Sequence, residues 1–182
     1  MDLRVQKTQS AIKNAFIQLR AHRALEQISV RELSDLAMIS KGTFYLHYHD
    51  IYDLSEQLQK EVIASIVNSI EHPKAMLTDP ALFCRELFDG FHNQQGLFDI
   101  LFAGSQSSVV PAAVEASLRA YLGENYPHVL QNPMIDILIT FEVEGSYAAY
   151  IKHSAHYSYD EVMTALDLVL NAIKPQLSSV IF

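Results

Sequence analysis

The chain has 182 residues, 49% hydrophobic and 19% charged, with six Gly, six Pro and no Trp; this excludes a disordered chain and suits one or two packed, helix-rich domains. A formal net charge of −8 argues against a uniformly basic nucleic-acid binder, and a single cysteine, Cys84, excludes an intrachain disulfide framework. The opening MDLRVQKTQS lacks an apolar secretory core and no window approaches about 18 uninterrupted apolar residues, so a soluble cytoplasmic protein with no membrane partner is expected.

Along the chain the charge is uneven. Residues 1–48 carry seven Lys/Arg against four acids, a net +3, and the remainder carries six against seventeen, a net −11. Only the N-terminal segment is therefore suited to meet a polyanion, and an acidic body would orient the molecule on it.

The predicted elements are helices throughout. Ile12, Ala15, Phe16 and Leu19 share one face of a helix over 5–22. A loop spans 24–28. Ser29-Val30-Arg31-Glu32 then reads as a capping box, Ser29 accepting from the N3 amide while Glu32 reaches back. Val30, Leu33 and Leu36 or Ala37 give the short helix it opens, about 30–36, a buried stripe. Ser40 can cap a third helix over 41–47. Asp50 can cap a long fourth helix, 51–70, with Asp53 in its first turn. Asp79-Pro80 opens the second part, and helices are expected at 80–91, 94–103, 108–123, 133–153 and 159–174. No alternating strand pattern with hairpin turns is visible. The expected fold class is all-α.

Ser29–Tyr48 has the layout of a helix-turn-helix: a capped helix, a tight turn at Ala37-Met38-Ile39, and a second short helix from Ser40. Such a unit lays its second helix in the DNA major groove, with the residues at its N-terminus nearest the base edges. Its core would be Ile12, Phe16, Leu19, Val30, Leu33, Leu36, Ile39, Phe44 and Tyr48. Phe44 and Tyr48 are i,i+4 and can both face inward, whereas Lys41 and Tyr45 share a different face. No acid lies between Asp35 and Asp50.

The run Ala37-Met38-Ile39-Ser40-Lys41-Gly42-Thr43-Phe44-Tyr45-Leu46-His47-Tyr48 resembles the recognition-helix signature of the TetR family of transcriptional regulators, roughly A-G-V-S-x-G-T-x-Y-x-H-F. The resemblance covers about residues 5–70. Asp50-Ile51-Tyr52-Asp53-Leu54 is similar to a branch that includes dihydroxyacetone-kinase operon regulators. Two positions depart from the pattern. Met38 stands where the turn glycine is usual, a position that favours φ > 0. Ile51 stands where a lysine often contacts phosphate.

The resemblance implies a three-helix DNA-binding domain over 1–50. It implies a helical ligand-sensing and dimerisation domain over 51–182, with the long helix 51–70 as connector. It also implies operator double-stranded DNA as partner, a homodimer, an unidentified small-molecule effector, and repression as the commoner outcome. Ser40, Gly42, Thr43, Tyr45 and His47 match the signature. Gly42 allows close backbone approach, Thr43 offers a hydroxyl and an amide suited to phosphate, and Tyr45 can meet phosphate or a thymine methyl. Lys41 either reaches guanine or phosphate or is a solvated lysine. Arg31 either reaches DNA or pairs with Asp35 at i+4. A helical interaction or ligand-binding protein that has lost DNA binding is the alternative reading.

In the second domain the resemblance pairs the last two long helices with their twins. The candidate interface residues are Ile137, Phe141, Gly145 and Ala148 on one, and Val162, Leu166, Val169, Leu170 and Ile173 on the other; an intrachain core has the same periodicity. Candidate cavity residues are Phe83, Phe88, Phe91, Phe98 and Phe102, with Phe141, Glu144 and Tyr147, though aromatics at helical spacing are more often core. No enzyme is expected, since there is no G-x-S-x-G elbow. No cofactor is expected, and no metal: His47 and His49 point apart on a helix, and His153 and His156 have no ligand partner at a known spacing. Cys84 reads as a buried small apolar residue.

Overall fold

The computed structural model describes residues 3–181, with all their side chains except those of Ser105 and 176–181. Among the described residues there are ten α-helices, three short 3-10 turns and no strand. The helices are α1 (Leu3–Arg20), α2 (Val30–Leu36), α3 (Lys41–Tyr45), α4 (Ile51–Asn68), α5 (Ala75–Thr78), α6 (Pro80–Asn93), α7 (Gln95–Leu101), α8 (Val110–Asn125), α9 (Pro133–His153) and α10 (Tyr159–Ile181). The fold is all-α, as the periodicity implies. Among the described residues no single helix is long and apolar enough to cross a membrane.

The chain forms two compact units, Met1–Val62 with Gln94–Ser108, and Ile63–Asn93 with Val109–Phe182. The helix α4 contributes to both. The sequence division at residue 50 assigns everything after it to one domain. In the structure residues 51–62 and the α7 segment pack with the N-terminal helices instead. The side-chain amide of Gln59, itself buried, donates to the Leu101 carbonyl at 3.0 Å and to Gln106 Oε1 at 3.1 Å, and α7 packs on α1.

In the first unit Ile12, Phe16, Leu33, Phe44 and Tyr48 form the core with Leu25, Ile28, Ala37, Ile51 and Leu54. Leu19, Val30 and Ile39 are half-buried. Leu36 is 44% exposed, and Ala37 takes the inward position beside it. Burying Phe44 and Tyr48 fixes the face that α3 turns outward, because the two rings (centroids 5.7 Å apart) pin the helix from one side.

In the second unit α6 packs on α5 and α10, and α8 on α9. The core includes Ile66, Leu87, Phe88, Leu118, Leu122, Ile135 and Met163. Arg85 of α6 pairs with Asp167 of α10, and Lys174 of α10 with Asp79 at 2.6 Å. Of the glycines, Gly90 has the least room: an added β-carbon would lie 2.9 Å from Ile66 Cγ2. Mid-helix Gly→Ala ordinarily gains about 0.5–1 kcal/mol. Here overpacking reverses the sign, and Gly90→Ala is expected to lose about 1–3 kcal/mol in urea unfolding. A neutral or stabilising value would show that the α4–α6 contact has slack.

Candidate nucleic-acid interface and interior cavity

The helix-turn-helix is built by its caps. The Ser29 hydroxyl accepts from the Glu32 amide at 3.2 Å, opening α2. The Glu32 carboxylate pairs with Arg23 across the preceding loop, so the return half of the capping box is replaced by an ion pair. The Ser40 hydroxyl accepts from the Thr43 amide at 3.0 Å and lies 2.9 Å from the Thr43 hydroxyl. That bond occupies the Thr43 amide as a cap and leaves its hydroxyl as the group with spare capacity for phosphate. At α4 Asp50 Oδ1 accepts from the Asp53 amide, and Asp53 Oδ2 reaches back past the cap to accept from the His49 amide, both at 2.8 Å. The Gln57 side-chain amide, donating to Asp53 Oδ1 at 2.9 Å, and then the His49 amide hold the Asp53 carboxyl below its usual range.

Between α2 and α3 the chain turns through Met38, whose φ is 54°. This is the left-handed region that the sequence pattern assigns to glycine, and an L-residue there costs about 1–2 kcal/mol. Part of that is returned because glycine leaves more freedom to the unfolded chain. Met38→Gly is therefore expected to stabilise the protein by up to about 1 kcal/mol, read as a shift in the urea midpoint. A loss would mean that the Met38 side chain, 92% exposed, has a partner in the free protein.

Lys41, Gly42 and Tyr45 are exposed, Thr43 and His47 half-buried, and Phe44 wholly buried beneath them. Among the described residues Lys41 has no ion-pair partner. Arg31 and Asp35 are both exposed with their charged groups 4.0 Å apart, a surface pair worth a few tenths of a kcal/mol and easily given up to a phosphate. The helix α3 is shorter than the sequence reading, ending at Tyr45, so His47 stands in the turn and rests on Tyr48. Ile51 is 5% exposed. Its apolar side chain anchors the start of α4 in the core, which explains why a phosphate-seeking lysine is dispensable to folding there.

The second unit holds two neighbouring hollows. An outer cleft of about 370 Å³ is lined by the end of α4, Pro73, Phe83 and the outer face of α8. An inner space of about 10 Å³, room for one water, is lined by residues of α5, α6, α8, α9 and α10, among them Cys84, Glu142 and Ser146. Phe83 and Leu118 line both. Burial pushes the Glu142 carboxyl up to about 8 and the Cys84 thiol up to about 12.

Of the aromatic candidates, Phe83 alone borders these two spaces. Phe88 and Phe91 are core of the second unit, and Phe98 and Phe102 stack on one another in the first. Phe141 is 55% exposed, Glu144 exposed and Tyr147 half-buried, its phenol pushed up to about 12 by burial. Sequence reasoning passed over Glu142 and Ser146. Their one signal is register: Ile135, Ile139, Glu142 and Ser146 follow a single inward stripe of α9.

The other face of α9 is apolar and open. Ile137, Phe141, Gly145 and Ala148 are exposed, in line with Met134 and Ile151; Val169 and Leu168 of α10 are also exposed, and Ile173 is half-buried. Val162, Leu166 and Leu170 are buried within the chain. Val162, Leu166 and Val169 also line an open groove with Ala149 and Ala165. Among the described residues no cluster of three His, Cys, Asp or Glu side chains stands where a metal could be held.

No protein-family model and no curated protein matches the chain. Among solved structures it is similar to the TetR family repressor AlkX of Dietzia sp. strain DQ12-45-1b, a protein implicated in the biodegradation of n-alkanes. The match has a TM-score of 0.54 and 18% identity, and covers 95% of this chain and 97% of that one. Over nearly its whole length, then, this chain has the all-α fold of a TetR family repressor.

Proposed function

We propose that the protein is a ligand-responsive transcriptional repressor of the TetR type and not an enzyme. It binds a pseudo-palindromic operator as a homodimer and is released by a small-molecule inducer. The observation that carries this reading is the form of α3. It is a five-residue helix capped by Ser40 and pinned from behind by buried Phe44, with Lys41, Gly42 and Tyr45 turned to solvent and no acid from residue 36 to 49. The DNA-contact set is Arg31, Ser40, Lys41, Gly42, Thr43, Tyr45 and His47. On this reading the protein works in the cytoplasm, beside its DNA.

One such helix makes too few contacts for specific binding, and two spaced by about 34–36 Å read successive turns of the major groove. The exposed stripe Ile137, Phe141, Gly145 and Ala148 of α9, with Val169 of α10, supports pairing of the last two helices with a second copy. A lone chain would otherwise present contiguous large apolar side chains to water. Release follows if the inducer binds more tightly to a dimer whose α3 helices are wrongly spaced.

The test is a gel shift with DNA flanking the protein's own gene, alongside light scattering. An inverted repeat bound by two chains, salt-sensitively, is the expected result. A monomer in solution, or no protection of any repeat, would overturn it.

A further inference from the structure

The charged residues that line the two hollows are both acidic, one exposed and one largely buried. The outer cleft carries Glu124 and the inner space Glu142, and no Lys, Arg or His lines either. One carboxylate oxygen of Glu142, Oε1, is buried and has no hydrogen-bond donor among the described residues. The Ser146 hydroxyl, one turn along α9, donates to the Glu142 backbone carbonyl instead. A buried acceptor without a donor is costly, and a positive charge brought to it recovers that cost.

From these observations we propose that the effector is an organic cation: an apolar molecule that fills the outer cleft and sets a protonated amine against Glu142. The inference rests on the reading of this unit as a ligand sensor. The cleft has the volume of a small-ligand site, with Ala64, Val67 and Tyr121 for the apolar body and Asn68 and Ser117 for a polar substituent. Phe83 and Leu118 are the shared wall, and turning them aside joins the cleft to the space beside Glu142. An anion would meet carboxylates and no counter-charge in either lining, and a neutral hydroxyl could hydrogen-bond Glu142 but would bring no positive charge to it. In the empty protein burial keeps the Glu142 proton in place to about pH 8; binding of an ammonium group releases that proton to solvent and leaves the carboxylate paired with the cation.

The test uses three probes with one apolar body and different head groups: 4-phenylbutylamine, 4-phenylbutanol and 4-phenylbutanoate. Each is titrated calorimetrically into the full-length protein near neutral pH. The amine is expected to bind at least about tenfold more tightly than the alcohol, and the carboxylate not detectably. Glu142→Gln, checked for fold by circular dichroism, is expected to abolish the preference for amine over alcohol, whereas Glu124→Gln retains most of it. Equal binding of amine and alcohol, an undiminished preference in Glu142→Gln, or no binding of the amine would each overturn the proposal. The outcome is separable from the regulatory reading. Amine binding that depends on Glu142 upholds the site even if no operator is bound, and a specific DNA complex upholds the regulator even if the amine fails.

Discussion

Replacing Tyr45 with alanine is expected to lower affinity for the inverted repeat by about tenfold to a hundredfold at each half-site, the loss of about 1–3 kcal/mol of contact energy. The melting temperature is expected to stay where it is. Both expectations follow from the same geometry. Tyr45 is 57% exposed on α3, while its neighbour Phe44 is fully buried, so the phenol can be removed without opening the core. Phe44→Ala is the opposite control. It is expected to cost about 3–5 kcal/mol of stability and to lose DNA binding through unfolding. Lys41→Ala is expected to weaken binding across sequences and to reduce the slope of log K against log salt by about one per half-site if its contact is to phosphate. If Tyr45→Ala bound the repeat as tightly as the unaltered protein, the tyrosine would be removed from the interface. If all three variants did so, α3 would not be the reading helix.

The second large effect concerns Glu142 in the absence of ligand. Burial raises its carboxyl from an ordinary value near 4.5 to about 8, so the folded protein holds a proton that the unfolded chain releases. The stabilisation is complete below pH 4.5 and is lost as the pH climbs through about 8. The loss runs at about 1.4 kcal/mol per pH unit, to a total of at most about 5 kcal/mol. Glutamine keeps the shape and cannot ionise. Glu142→Gln is therefore expected to match the unaltered protein near pH 5 and to exceed it by several kcal/mol near pH 9, seen as diverging urea midpoints.

Other titrations do not blur the comparison. The neighbouring Cys84 thiol, pushed up to about 12 by burial, does not titrate in this window. His72, raised by Glu86, loses its own contribution as the pH rises but does so identically in both proteins. Parallel curves for the two proteins would mean that the carboxyl reaches water.

The first unit was largely legible because its determinants are local. Ser29, Ser40 and Asp50 each satisfy an orphan amide within three residues, so helix starts follow from short strings of sequence. The i,i+4 pair Phe44 and Tyr48 decides which side of α3 is hidden. Even the irregular point was marked in advance: the position where the pattern asks for glycine is the one where Met38 adopts φ 54°. The limits of α9 were legible for the same reason, since Asn132 caps it and Pro133 occupies its first turn.

The interior of the second unit was not legible in this way. Apolar residues run around most of the circumference of α9, so periodicity assigns it no single buried face. The stripe with Ile137 and Phe141 and the stripe with Ile135 and Ile139 are equally good helical patterns. Only the packing of α8 and α10 turns the second inward, and with it Glu142. Likewise nothing local in Gln95–Leu101 says that α7 joins α1 in the first unit, because that choice is made by contacts some forty residues and more away, at Gln59 and beyond. The sequence by itself determined the helices, their caps and the outward face of α3, all of which depend on neighbours within one or two turns. Which aromatic residues border a cavity, which carboxyl is stripped of water, and which apolar stripe is left open were decided by tertiary packing, because burial is a property of what the rest of the chain places against a residue.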